Sequence, residues 1–122
     1  MNAEKKAAKA RIKDAVRVWA ELVPPGVDVR HVFIDSTTDT ESPDVVAETK
    51  TSWEYHEATI RWSLPNAAAL DQDTIDAYLV HELVHVMLAP IELLHRGDDN
   101  NLNALCEHTV ETVARAIIRL VP

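Results

Sequence analysis

The chain has 122 residues, 47% of them apolar, which suits one domain, 1–122, with a thin core. With 20 Asp and Glu against 12 Lys and Arg, the net charge of −8 argues against nucleic acid or an anionic membrane as the main partner. A single cysteine, Cys106, rules out an intrachain disulfide and fits a reducing compartment. No apolar run reaches membrane-spanning length, and the charged, Ala-rich start does not read as a signal peptide, so a cytoplasmic location is expected.

Residues 3 to 22 are predicted to form a helix, because Ala, Lys and Glu favour it. Ala8, Ile12, Ala15, Val16, Trp19 and Leu22 recur at helical spacing and read as a core-facing stripe. Pro24-Pro25-Gly26 stops the helix. Residues 27 to 35 are rich in β-branched side chains and predict a strand. The polar stretch 36 to 44, with Pro43, predicts a loop. Residues 45 to 52 and 58 to 64 predict two more strands, joined as a hairpin through 53 to 57, although no Asn-Gly or Asp-Gly marks the turn. Pro65 ends the second of them. Trp53, Tyr55 and Trp62 suit either the core or the wall of a cleft.

Residues 70 to 89 give the clearest helix, with Asp71 or Asp73 as its cap and Pro90 ending or kinking it. A short helical turn and the loop R-G-D-D-N-N follow over 90 to 101. Residues 102 to 120 predict a last helix whose apolar face is Leu105, Val110, Val113, Ala114, Ile117 and Leu120. Helix, three strands, helix, helix is the order of a small α+β domain.

The chemistry concentrates in H-E-L-V-H, residues 81 to 85. Residues four apart on a helix share a face, so His81 and His85 can hold one Zn²⁺ between them. Glu82 is placed to take the proton of a water on that metal. With 6 His in the chain, chance yields this pattern only about 0.02 times per chain. The bland alternative is two histidines hydrogen-bonded on a half-buried helix. Zinc in a hydrolase takes three protein ligands and keeps one position open. On the last helix, Glu107 is the favoured third ligand, and Glu111 the carboxylate that hydrogen-bonds a ligating histidine. His108 is a rival ligand and His95 a weaker one. The bland reading of the two glutamates is a solvated helix face.

H81-E82-L83-V84-H85 followed by E107-x-x-x-E111 resembles the gluzincin branch of the zincin metallopeptidases. It resembles most the minimal single-domain members and small metallopeptidase-like proteins of phages and prophages, over about residues 45 to 122. No Asn precedes Glu107, and Glu111 stands where that family usually has Asp. The resemblance implies a minimal zincin-like fold. It implies a zinc endopeptidase with His81, His85 and Glu107 on the metal and Glu82 as general base. It also implies an edge strand before the active-site helix, here Thr59, Ile60, Arg61 and Trp62, that pairs with an extended peptide substrate. A Tyr or His steadies the oxyanion in such enzymes, and Tyr55, Tyr78 and His108 are the candidates. Two rivals stand beside this reading. One is a catalytically latent zinc-binding module whose cleft a partner protein completes; the other is a structural domain without metal.

Overall fold

The computed structural model describes residues 2–35, 44–52, 54, 56–94 and 100–120, and of 91–94 and 100–103 the backbone alone. The first helix, α1 (Ala3–Val18), begins at Asn2, whose side-chain oxygen accepts from the Lys5 amide at 2.9 Å. It buries Ala8, Ile12 and Ala15. The expected helix is cut short at its end. Val23, which precedes Pro24, is forced into an extended conformation, and Ala20–Leu22 tightens into a 3₁₀ turn.

Three strands follow: β1 (Asp28–Ile34), β2 (Ala47–Ser52) and β3 (Glu57–Ser63). Their order in the sheet is β1-β3-β2, with β3 parallel to β1 and antiparallel to β2. This overturns one expectation. Thr59, Ile60, Arg61 and Trp62 lie on the central strand, bonded on both sides, and the strand that borders the helices with one edge unpaired among the described residues is β2. The physical reason is apolar content. β3 buries Ala58, Ile60 and Trp62 on one face, whereas β2 reads A-E-T-K-T-S, a polar sequence with a lysine that suits an edge. The expected hairpin is present between β2 and β3. Its turn includes His56 in a left-handed conformation (φ 53°), while Trp53 and Tyr55 lie outside the described residues.

Pro65 sits in the first turn of a short helix, α2 (Leu64–Ala67), capped by Ser63. The long helix α3 (Gln72–Leu94) starts at Asp71, which accepts from the Thr74 amide at 2.8 Å. It continues through Pro90 instead of ending there. The last helix is α4 (Asn100–Leu120). The core joins Ile12 and Trp19, Ile60 and Trp62, Ile75, Leu79, Val80, Leu83 and Val84, and Val110 and Ala114 into one cluster. Thus α3 is central: it packs on β2, and α1 and α4 each pack along it. The apolar face expected of α4 is only half used. Val110 and Ala114 are buried, but Leu105, Val113 and Leu120 are 59%, 38% and 82% exposed, because among the described residues α4 packs mainly along α3.

Candidate metal centre

Three elements meet at the site. α3 carries His81, Glu82 and His85; α4 packs beside it and carries Glu107 and Glu111; β2 closes the other side. Buried Leu79, Val80, Leu83 and Val84 anchor α3, so the two histidines are held half-buried at its surface. Their rings stand edge to face with centroids 5.0 Å apart. One turn of α3 separates them, as the i,i+4 spacing requires.

Glu107 reaches across from α4. Its Oε1 lies 2.7 Å from His85 Nε2 and 3.7 Å from His81 Nε2. One donor atom from each of the three residues falls within 4.8 Å of the others, so the group could hold a metal ion. A tetrahedral Zn²⁺ with ligand bonds of about 2.0–2.1 Å needs donors roughly 3.3 Å apart. The two measured separations bracket that value. The chemistry also fits, since imidazole and carboxylate are ordinary zinc donors.

Glu111, one turn beyond Glu107, makes a different contact. Its Oε2 lies 2.7 Å from His81 Nδ1, and its Oε1 accepts from Arg115 Nε at 2.7 Å. Those two partners, Arg115 first, hold the Glu111 carboxyl below the usual range, so it is ionised at neutral pH and can only accept. A carboxylate there suits the His81 tautomer with its hydrogen on Nδ1, the one that leaves an Nε2 lone pair for a metal.

Glu82 is turned about 100° around the helix from His81 and does not join the donor set. It is only 6% exposed. Burial pushes its carboxyl above the usual range, against a pull downward from the Thr49 hydroxyl and the two histidines. Thr49 Oγ1, on β2, donates to Glu82 Oε1 at 2.9 Å. A cavity of ≈ 300 Å³ opens here, lined by Val45, by Ala47, Glu48, Thr49 and Thr51 of β2, and by His81, Glu82, His85 and Glu107. A metal in the donor group would face this space, which Glu82 also lines.

Against known proteins, the chain matches no family model, no curated protein and no solved structure.

The remaining residues singled out in the sequence are dispersed. His108 is exposed on α4 and stands outside the donor group, one position around the helix from Glu107. Tyr78, 38% exposed, lines a neighbouring cavity of ≈ 420 Å³ together with Val45, Ala47, His81, Glu82 and Glu111. Tyr55 and His95 lie outside the described residues. Trp62 is fully buried, part of the core, and donates to Nδ1 of half-buried His31 at 3.1 Å. Sequence reasoning missed Thr49. The available signal was the alternation Ala47, Thr49, Thr51 in an otherwise charged strand, which puts three small side chains on one face.

Proposed function

We propose that this protein is a zinc-dependent peptidase, with His81, His85 and Glu107 holding one Zn²⁺ and Glu82 acting as general base. The observation that carries the reading is the convergence of two Nε2 atoms and one carboxylate oxygen beside a buried glutamate, all facing one cavity. A Zn²⁺ held there would supply Lewis acidity, lowering the pKa of a water and polarising a carbonyl. Glu82 takes the proton from that water and later passes it to the leaving amine. Its burial favours this role, because a carboxyl with a raised pKa holds the proton more readily between the two transfers. Glu111 keeps His81 in the tautomer that offers Nε2.

A peptide is the substrate class that the surroundings favour. β2 borders the cavity, and its outer edge has no partner strand among the described residues. An extended peptide can pair with such an edge through main-chain hydrogen bonds. This moves the substrate-binding role from β3 to β2. No described helix is long and apolar enough to cross a membrane. The lone Cys106 fits a cytoplasmic setting.

The deciding experiment pairs elemental analysis with cleavage of an unfolded protein. Wild type is expected to carry about one zinc per chain, and His85→Ala to lose it. Glu82→Gln is expected to keep the zinc and to lose roughly 10²–10⁴-fold in kcat. Full cleavage by Glu82→Gln overturns the mechanism. Zinc in a wild type that cleaves nothing would instead make the chain a latent zinc-binding module, completed by a partner protein.

A further inference from the structure

Glu82 reaches its cavity from within the packed face of α3, and a glutamate side chain has three rotatable bonds. Something must hold its carboxylate in one orientation if it is to serve as a base. Among the described residues, Thr49 is the one hydrogen-bond donor to that carboxylate, at 2.9 Å from Oε1. The two residues are 33 positions apart in sequence and come from different elements. The sheet register explains the contact. Thr49 pairs with Ile60, and directly paired residues share a face. Ile60 is fully buried under the helices, so Thr49 too points at α3.

We infer that Thr49 is a positioning residue for the base: its hydroxyl ties down Oε1 of Glu82 and leaves Oε2 to face the His81–His85–Glu107 group. This role rests on the peptidase reading and deepens it. Thr49 is not one of the donor residues, and its hydroxyl bonds to Glu82, through which it acts. A hydroxyl is required, since a carboxylate can only accept. The β-branched methyl serves the strand instead.

Three proteins separate these effects: wild type, Thr49→Val and Thr49→Ser. Valine keeps the shape and the strand preference and removes the donor; serine keeps the donor. Zinc content, kcat and KM on an unfolded protein substrate are measured for each. Thr49→Val is expected to retain about one zinc per chain and a wild-type KM, with kcat reduced roughly 10- to 100-fold. Thr49→Ser is expected to return kcat to within a few-fold of wild type. Wild-type kcat in Thr49→Val overturns the role, as does a serine variant as impaired as the valine one. Loss of zinc or a raised KM in Thr49→Val also overturns it, because Thr49 would then act on the ligands or on the substrate. A wild type that binds zinc without cleaving, or binds none, fails the peptidase reading itself. Failure confined to the variants leaves that reading standing.

Discussion

At the scale of single residues, the site depends on pairs whose chemistry is complementary. His81 uses one ring nitrogen toward Glu111 and the other toward the donor group, and Arg115 holds Glu111 in turn. If the donor group holds zinc as proposed, neutralising the middle of this chain should weaken that binding without removing a donor. Glu111→Gln is expected to weaken zinc affinity about tenfold or more, read by competition with a chromophoric chelator. An affinity equal to that of wild type would mean that the short contact to His81 does nothing for the metal. Glu107→Gln makes a useful contrast, since it changes the donor itself and should cost more.

At the scale of elements, α3 is the frame, and its start is set by one side chain. Asp71 accepts from the Thr74 amide and hydroxyl, and these bonds hold its carboxyl below the usual aspartate range. A folded-state pKa lower than the unfolded one means stabilisation that is present in full above the ordinary aspartate value. That stabilisation is lost as pH falls through the lowered folded value. Asp71→Ala should therefore melt below wild type at pH 7, with the gap closing as pH drops beneath about 4. A gap that stays constant with pH would assign the effect to something other than the ionised cap. α4 supplies a second test. Val110 is fully buried against α3, and Leu105 on the same helix is 59% exposed. Val110→Ala is expected to cost roughly 2 kcal/mol in denaturant unfolding, from two buried carbons and the space they leave. Leu105→Ala is expected to change stability by less than about 0.5 kcal/mol. Equal costs would mean that α4 packs on a different face.

At the scale of the whole molecule, the proposed metal site depends on tertiary structure. His81 and His85 lie on α3 and Glu107 on α4, so the donor group forms only when the two helices are packed. An ion that binds this folded arrangement and not the unfolded chain raises stability by mass action, about 2.7 kcal/mol at a free concentration of 100 times Kd. Zinc should therefore raise the melting temperature by several degrees in wild type and leave His85→Ala unmoved, as followed by circular dichroism. A melting temperature indifferent to zinc and chelator in wild type would argue for a domain without a metal.

The sequence by itself determined what is periodic. The 3.6-residue repeat puts His81 with His85 and Glu107 with Glu111, and each pair lies one turn apart on its own helix. The existence of the hairpin and the cap at Asp71 were legible for the same reason: they depend on residues close in the chain. The strand order was decided only in three dimensions. Which strand lies in the middle depends on where Ala58, Ile60 and Trp62 find cover, and that cover comes from α1 and α3, many residues away. The turn at His56 carried no signal, because a left-handed histidine has no local motif to announce it. The apolar stripe of α4 was readable as a stripe, but how much of it is buried depends on how many neighbours the helix has. Thr49 is the clearest case. Nothing near it in sequence needs a hydroxyl, and only the packing of β2 against α3 sets that hydroxyl on Glu82.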